Sequence, residues 1–245
     1  MQVEVFSDVV CPWCYIGKRR LEQALDGFAH RDDVTVTFRS FQLDPSIPKD
    51  VTVTQVERLA EKYGVSMAQA EAMNARVSGV AAGVGLDFHL DAAHPANTFD
   101  AHRLLHFAAE HGKQAELKER LMQAYFMRGE DIGDPESLAD LAAEVGLDRD
   151  EARAVLASDR YADAFREDVS LARAFGINSV PFFVIDRKYG IAGAQDVAVL
   201  RDALEQAWAT AHPLTMVSVG AATGSADEAA DAAGAGDCTD GVCRV

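Results

Sequence analysis

The sequence has no long apolar run and comparatively few basic residues. None of its stretches approaches the roughly eighteen uninterrupted apolar residues of a membrane-spanning helix, so we expect no segment that crosses a bilayer. Lys and Arg together number 23, against 39 Asp and Glu, which leaves a formal net charge of -16. Because this charge repels phosphate backbones and anionic lipid surfaces, we expect neither nucleic acid nor a membrane among the partners.

Cysteine is also scarce. Four cysteines in 245 residues are too few for a disulfide framework. The chain begins almost directly with an apolar strand, and no basic, apolar and cleavable leader precedes Cys11. We therefore expect a cytoplasmic protein, and in a reducing compartment a Cys-x-x-Cys pair is catalytic or metal-binding rather than structural.

Two of the cysteines stand where a strand passes into a helix. Val3, Val5 and Phe6 suit a buried strand, and Pro12 suits the first position of a helix, where its missing N–H costs nothing. This places Cys11 at the N-cap and Cys14 one turn inside the helix. The unpaired amides and the positive dipole end of the helix favour a thiolate at Cys11. We predict that Cys11 is the nucleophile and that Cys14 resolves the mixed disulfide.

The neighbouring residues allow more than one interpretation. Cys-x-x-Cys also begins zinc sites, but the strand-to-helix context favours redox chemistry, so we expect no metal. Trp13 either covers Cys14 and contacts apolar substrate or packs at the helix start. Asp8 either assists proton movement near Cys14 or bonds turn amides, of which the second is favoured. We take Lys18 as a solvated helix residue.

The rest of the chain predicts an α/β protein. A second strand fits residues 34–41, and from about 52 to 174 the apolar period is helical, with room for five or six helices. A short buried strand over 182–185, a partner strand over 190–193 and a helix over 197–209 follow. The order predicts a thioredoxin-like sheet, formed by residues 1–50 and 175–212, with a large all-helical domain, residues 51–174, inserted into it.

Two segments resemble a known family. The segment Cys11-Pro12-Trp13-Cys14, after a first strand, and the distant segment Gly176–Ile185 resemble the DsbA family of thiol-disulfide oxidoreductases. Within that family the sequence is similar to the FrnE-like branch, which shares the Asp-x-x-Cys-Pro-Trp-Cys site, the segment Asn97–Arg103 and a long helical insertion. Kappa-class glutathione transferases and hydroxychromene-carboxylate isomerases resemble this scaffold too, but usually carry serine at the position of Cys11.

The resemblance implies a role for Val180 and Pro181. Pro181 could be an ordinary proline at a strand start, but by likeness to the family it belongs to a cis-proline loop that faces the cysteines. Val180 would then offer backbone groups to an extended substrate peptide. The implied activity is a dithiol-disulfide oxidoreductase or isomerase that acts on proteins, peptides or glutathione and requires no tightly bound cofactor. The start of the chain, with no leader before Cys11, makes us expect this activity in the cytoplasm.

Alternative functions stay open at this stage. One is a glutathione-dependent transferase or isomerase on the same scaffold, and another is a metal-binding or redox-sensing module. No basic group stands between Cys11 and Cys14, and Asp8 opposes thiolate formation, so we expect an intermediate reduction potential and reductase or isomerase behaviour. His102 and His106 have the i, i+4 spacing of metal ligands, but we favour core packing because no acidic partner is identifiable.

The amino-acid composition changes toward the end of the chain. Residues 218–236 are mostly Ala, Gly, Ser, Thr and acidic residues, which predicts a flexible tail over 213–245. Cys238 and Cys243 form a Cys-x4-Cys pair in this tail. The pair could act as a shuttle dithiol for Cys11, bind a soft metal, or have no function.

Overall fold

The computed structural model describes residues 1–48, 51 and 53–213. Residues Met1–His212 form one compact unit. The predicted domain boundaries near residues 50 and 174, inside this unit, stay predictions. The tail cysteines Cys238 and Cys243, with nearly all of the predicted tail, lie outside the described residues.

Four strands within the described part of the chain form one mixed sheet. They are β1 (Gln2–Ser7), β2 (Thr35–Ser40), β3 (Phe182–Ile185) and β4 (Tyr189–Ala192), and their order is β2-β1-β3-β4. Strand β1 pairs in parallel with β2 and antiparallel with β3, which in turn pairs antiparallel with β4. Because β1 is central, its residues after Gln2 are all buried. This sheet and the long helical insertion confirm the predicted thioredoxin-like fold class.

Nine α-helices lie in the described part of the chain. The α-helices are α1 (Pro12–Asp26), α2 (Gln55–Tyr63), α3 (Met67–Ala82), α4 (Phe99–Glu110), α5 (Gln114–Gln123), α6 (Pro135–Glu144), α7 (Arg149–Leu156), α8 (Ala162–Ala174) and α9 (Val197–Ala211). A short 3-10 turn covers Arg31–Asp33, and a π-helical segment, Ala124–Arg128, continues α5. No helix among the described residues combines the length and apolarity that a membrane span needs.

The number of helices in the insertion differs from the prediction. Seven α-helices, α2 to α8, lie in the described part of residues 52–174, where the sequence suggested five or six. Glycines mark most of the breaks, but α7 and α8 are separated at Tyr161, which adopts a left-handed conformation with φ 63°. The guanidinium of Arg103, on α4, donates to the carbonyls of Val155, Leu156, Ser158 and Arg160, three of them at 2.9 to 3.2 Å. These contacts satisfy the last carbonyls of α7, and no local pattern announces them.

Helix α1 takes part in two apolar cores. Its Leu21 and Ala24 pack with Val3 and Val5 of β1 and with Leu200 of α9, on one face of the sheet. The N-terminal part of the same helix belongs to the core of the helical insertion, with buried Cys11, Cys14, Tyr15 and Ile16. The cysteine pair therefore lies where the sheet and the insertion meet.

Candidate active site

The cysteine pair has the local geometry that the sequence predicts. Cys11 is the N-cap of α1, with φ -91° and ψ 114°, and Pro12 begins the helix. The amide of Cys14 donates to the carbonyl of Cys11 at 3.0 Å. Both are free thiols, and 4% of Cys11 and 1% of Cys14 is exposed to solvent. Trp13, between them, is 43% exposed. The pair is thus nearly covered by protein, whereas the indole beside it is open to a ligand.

The loop before β3 faces Cys11. The Val180–Pro181 peptide bond is cis, as the resemblance implied. The thiol of Cys11 donates to the carbonyl oxygen of Val180, with 3.7 Å between the two atoms. The carbonyl of Pro181 accepts a hydrogen bond of 2.8 Å from the amide of Gly193, which anchors the loop to the end of β4. A backbone segment with a fixed position therefore lies against the sulfur of Cys11.

Gly17 allows this loop to approach α1 closely. A Cβ atom added at Gly17 would lie 2.9 Å from Cγ of Pro181 and 3.3 Å from Cζ of Phe183. These distances are too short for an unstrained carbon contact, so glycine is required for the observed separation of helix and loop.

Burial affects the ionisation of Cys14. Burial raises the pKa of the Cys14 thiol well above its ordinary value, and the adjacent Cys11 raises it further. The positive charge of Lys118 acts in the opposite direction. Cys14 is therefore held as a thiol while the pair is reduced.

The contacts of Asp8 differ from the interpretation that the sequence favoured, in which its side chain bonds amides of the turn. Its carboxylate accepts a 2.8 Å hydrogen bond from the amide of Leu43, in the loop after β2, and its other oxygen lies 3.2 Å from Nε2 of His102. The turn itself uses the backbone carbonyl of Asp8, which accepts from the amide of Cys11. Burial alone would raise the pKa of Asp8, but His102, the Leu43 amide and Lys118 outweigh burial and lower it. Asp8 is thus a buried carboxylate.

The two histidines of α4 do have acidic partners. His102 is fully buried, as predicted, but against Asp8, and burial lowers its pKa. Nε2 of His106 lies 3.2 Å from a carboxylate oxygen of Asp168 and 3.1 Å from Oγ of Ser40. Strands and helices far apart in sequence supply these partners, so spacing alone could not reveal them. Among the described residues, no three His, Cys, Asp or Glu side chains are grouped to hold a metal ion.

Lys18 is not a solvated residue, and that prediction is wrong. Only 4% of it is exposed, and its ammonium group pairs at 2.5 Å with both Glu22, one turn further along α1, and Glu119 of α5. Glu119 also accepts from the Tyr15 hydroxyl at 2.7 Å and pairs with Arg19 at 2.8 Å. This cluster joins the catalytic-site helix to the insertion.

Sequence reasoning missed Lys118. This residue of α5 is fully buried, and its Nζ lies 3.4 Å from the carbonyl oxygen of Ser7, the last residue of β1. Burial lowers the pKa of Lys118 to about 8, although charges on Cys14, Asp8 and Cys11 oppose this shift. A signal was available in the sequence, because Lys118 lies within the apolar face that Leu117, Leu121 and Met122 form on α5. The site thus contains a cation that is absent from the cysteine motif itself.

A pocket opens beside Pro12. Its volume is about 160 Å³, and it lies between the start of α1, the loop after β2, helix α2 and the start of α4. Arg58 and Lys62 of α2 line one part, and Thr98 and Tyr125 line another. The hydroxyl of Thr98 is buried and has no hydrogen-bond partner among the described residues. The carboxylate of Asp44, also in the wall, pairs with Arg58 at 2.7 Å, so the pocket combines charged and hydroxyl groups with apolar side chains.

Comparison with known proteins identifies the family of this site. Residues 2–205 match the family of DSBA-like thioredoxin domains. The chain belongs to this family. Membership and the geometry of the fold together make the protein a thiol-disulfide oxidoreductase of DsbA-like build.

Individual DSBA-like relatives extend the comparison. The crystal structure of a probable DsbA oxidoreductase from Streptomyces coelicolor is 43% identical, with a TM-score of 0.83, and the match covers 89% of this chain and 94% of that chain. The uncharacterized protein YwbO of Bacillus subtilis is 30% identical over 197 residues, which are 76% of this chain and 86% of YwbO.

More distant structures share the fold alone. The cytosolic disulfide reductase DsbM from Pseudomonas aeruginosa, solved with GSH, is 17% identical with a TM-score of 0.60, over 84% of this chain and 98% of DsbM. A 2-hydroxychromene-2-carboxylate isomerase is 16% identical with a TM-score of 0.62, over 88% of this chain and all of the isomerase.

Proposed function

We propose that Cys11 and Cys14 are the redox centre of a cytoplasmic dithiol-disulfide oxidoreductase or isomerase. The observation that carries this proposal is the position of Cys11, which caps α1 and lies 3.7 Å from the carbonyl of Val180. A substrate disulfide that lies along the loop at Val180 and Pro181 would have its sulfur next to Cys11. The reaction needs no bound cofactor, because the two thiols carry the two electrons.

The exchange proceeds in two displacement steps. The Cys11 thiolate attacks one sulfur of the substrate disulfide, so that a Cys11–substrate bond forms and the other sulfur leaves as a thiolate. Cys14 then attacks the Cys11 sulfur, and the second substrate sulfur leaves. The substrate is reduced by two electrons and the Cys11–Cys14 pair is oxidised. The reverse sequence oxidises a substrate dithiol. Isomerisation results when a different thiolate of the substrate attacks the substrate sulfur of the mixed disulfide, so that a new substrate disulfide forms and Cys11 leaves as a thiolate.

The environment of each sulfur supports this order of events. Cys11 is the N-cap of α1 and faces the carbonyl of Val180, on the side where a substrate would lie along the loop. Cys14 is buried with a raised pKa, so it reacts second, after Cys11 has become bonded to substrate. The positive charge of Lys118 favours ionisation of Cys14 and so opposes the effect of burial.

The surroundings of Cys11 support thiol or disulfide substrates of modest size. Trp13 is exposed beside the cysteines and offers an apolar surface to a peptide. The pocket at Pro12, with Arg58 and Thr98 in its wall, fits a small polar group attached to a sulfur-bearing ligand. The fold neighbour DsbM was solved with GSH and is called cytosolic, which supports glutathione as a co-substrate and the cytoplasm as the compartment here.

Mixed-disulfide trapping tests the assignment of the two cysteines. The variants Cys11→Ser and Cys14→Ser are prepared in a chain that also carries Cys238→Ser and Cys243→Ser, so that each adduct has one possible site. We expect Cys11→Ser to lose insulin disulfide reduction and Cys14→Ser to accumulate a substrate adduct on Cys11, both measured by mass spectrometry and turnover. Insulin reduction by Cys11→Ser at the rate of its parent chain would contradict the proposal.

The direction of the reaction needs a separate measurement. The equilibrium of the Cys11–Cys14 pair with mixtures of reduced and oxidised glutathione yields its reduction potential. We expect an intermediate value, as for reductases and isomerases, and a strongly oxidising value would instead indicate an oxidase.

A glutathione-dependent transferase or isomerase is the second candidate. The polar pocket beside Pro12 and the shared fold with a 2-hydroxychromene-2-carboxylate isomerase favour it. In this case Cys11 would activate glutathione toward an electrophile, and Cys14 would be dispensable. If Cys14→Ser turns over an electrophile with glutathione as fast as its parent, the result supports this candidate. If neither the parent nor Cys14→Ser shows such turnover, the candidate is eliminated.

A further inference from the structure

The pocket beside Pro12 adjoins the segment that carries the nucleophilic cysteine. Val10 and Pro12, which flank Cys11 in the chain, both line it, and other parts of its wall come from α2 and the start of α4. With about 15 Å³ needed for each water, a volume of about 160 Å³ has room for about ten waters. A cavity of this size suits part of a small molecule.

The hydroxyl of Thr98 is buried in this wall without a partner. Thr98 is the N-cap of α4, but its side chain makes no capping hydrogen bond, and the side-chain oxygen of Asn97 accepts from the amide of Phe99 instead. A threonine at an N-cap ordinarily accepts from an amide of the first turn. Thr98 is only 2% exposed, and its Oγ1 has no hydrogen-bond partner among the described residues. Burying such a hydroxyl costs free energy that a ligand in the pocket would recover.

Tyr125 brings a second hydroxyl to the pocket. It lies in the π-helical segment Ala124–Arg128, and π-helical turns are frequent at functional sites. The amide of His89 donates to the carbonyl of Phe126 at 2.7 Å, which anchors this segment. The hydroxyl of Tyr125 has no hydrogen-bond partner among the described residues, and burial, together with the charge of Asp8, raises its pKa. It therefore stays protonated and can donate to a ligand.

The charged groups of the wall also leave donors available. Both carboxylate oxygens of Asp8 are engaged within the protein. The carboxylate of Asp44 accepts from Ser46 and from Nη2 of Arg58. The other guanidinium nitrogens of Arg58 have no acceptor among the described side chains, and Lys62 adds a second cation to the wall. A wall that offers mainly donors favours a ligand group that accepts, above all a carboxylate.

We propose that Thr98 and Tyr125 select the substrate by donating hydrogen bonds to a carboxylate of a low-molecular-weight thiol whose disulfide reacts with Cys11. This inference rests on the proposed exchange reaction and names the class of its substrate. The two hydroxyls determine specificity and take no part in the transfer of electrons. Because the net charge of -16 repels anions at long range, recognition of a carboxylate has to come from such local donors.

Two small disulfides of opposite charge test the proposal. Glutathione disulfide carries carboxylates, whereas cystamine carries ammonium groups and no carboxylate. The reduced full-length chain with Cys238→Ser and Cys243→Ser is mixed with each disulfide, and alkylation followed by mass spectrometry measures the rate at which the Cys11–Cys14 pair is oxidised. Thr98→Val and Tyr125→Phe, made in the same chain, each remove one hydroxyl and nearly preserve the shape of the side chain.

The expected result is a loss that depends on the substrate. Each variant should react at least about tenfold more slowly than its parent with glutathione disulfide, but within about twofold of its parent with cystamine. Thr98→Val should be no less stable than its parent in urea, because it removes a hydroxyl that has no partner in the free protein. The controls are Thr35→Val, at an exposed position of β2, and Tyr189→Phe of β4, which should match the parent with both disulfides.

Several outcomes would overturn the proposal. Equal slowing with both disulfides would show that the hydroxyls act on the cysteine pair itself, and an unchanged rate with glutathione disulfide would show that they recognise no carboxylate. A destabilised Thr98→Val would show that its hydroxyl serves the fold. Slowing of insulin reduction by the same factor would assign the pocket to a peptide chain instead of a small thiol. If the parent chain exchanges with neither disulfide nor with insulin, the proposed exchange function fails instead.

Discussion

Asp8 and His102 are in contact inside the protein, with 3.2 Å between Oδ1 and Nε2 and 1% of each side chain exposed. One residue follows the first strand, and the other lies on α4 of the insertion. The carboxylate is ionised and the imidazole is held neutral, because burial penalises a charged His102 and lowers its pKa. The contact makes the folded state sensitive to acid.

Stability should fall with acidification in a way that depends on His102. In the unfolded chain this histidine takes up a proton below about pH 6.5, whereas the folded protein resists protonation because the pKa is lowered. The contribution of neutral His102 to the free energy of unfolding is therefore intact above pH 6.5 and is lost as the pH falls toward the lowered pKa. The free energy of unfolding then changes by up to about 1.4 kcal/mol per pH unit. Urea unfolding between pH 5 and 8 should show a shallower slope for His102→Gln, and exposed His89→Gln should retain the slope of the parent.

Lys118→Met should stabilise the protein at neutral pH. The unfolded lysine has a pKa near 10.5 and the folded one about 8, so protons favour the unfolded state at pH 7. Methionine removes this penalty, and we expect a gain of about 1 to 3 kcal/mol at pH 7 that shrinks as the pH rises from 8 to 10.5. Chemical denaturation at pH 7 and pH 10 measures it. A variant less stable than its parent at pH 7 would contradict the assignment of an uncompensated charge.

Gly17→Ala should displace the loop that faces Cys11. The added methyl group would lie 2.9 Å from Cγ of Pro181, which forces the helix and loop apart. We expect a destabilisation of about 1 to 3 kcal/mol and slower mixed-disulfide formation at Cys11. Gly79→Ala is the matched control, because its methyl group meets no atom within 4 Å and alanine favours the helix. Equal effects of the two substitutions on the exchange rate would contradict the packing argument.

Glu119→Gln should loosen the junction between α1 and the insertion. The substitution leaves the buried ammonium of Lys18 with Glu22 alone and weakens the contacts of Arg19 and Tyr15. We expect a loss of about 2 to 3 kcal/mol in the free energy of unfolding. Glu116, which forms an exposed ion pair with Lys113, offers a control. Glu116→Gln should change the free energy of unfolding by less than about 0.5 kcal/mol. A loss at Glu119 no larger than the loss at Glu116 would show that the cluster adds little stability.

Local sequence patterns were sufficient to predict several strands and helices. Alternating and continuous apolar residues indicated the strands, although β2 proved to be Thr35–Ser40 and β4 Tyr189–Ala192, each within a residue or so of its predicted bounds. Pro12 at the first helical position indicated the start of α1 and hence the N-cap position of Cys11. These features depend on neighbouring residues in the chain, so a single sequence contains the information.

The surroundings of the cysteine pair could not be predicted in the same way. Asn97 illustrates the difference. Its side-chain oxygen accepts hydrogen bonds from the amide of Phe99, at the start of α4, and from the side chain of Gln42. Its side-chain nitrogen donates to the carbonyl of Ile47. Arg103 binds the end of α7, more than fifty residues away. Such partners are selected by packing between distant segments, and one sequence contains no local trace of that choice.

The sequence by itself determined the order of the elements, the cysteine pair at the start of a helix and the family likeness. Only the tertiary structure decided which ionisable groups lie around those sulfurs. Lys118 and His102 are on helices of the insertion, and burial inside the folded protein lowers the pKa of both. The physical reason is that periodicity and capping act over a few residues, whereas desolvation depends on everything packed around a group.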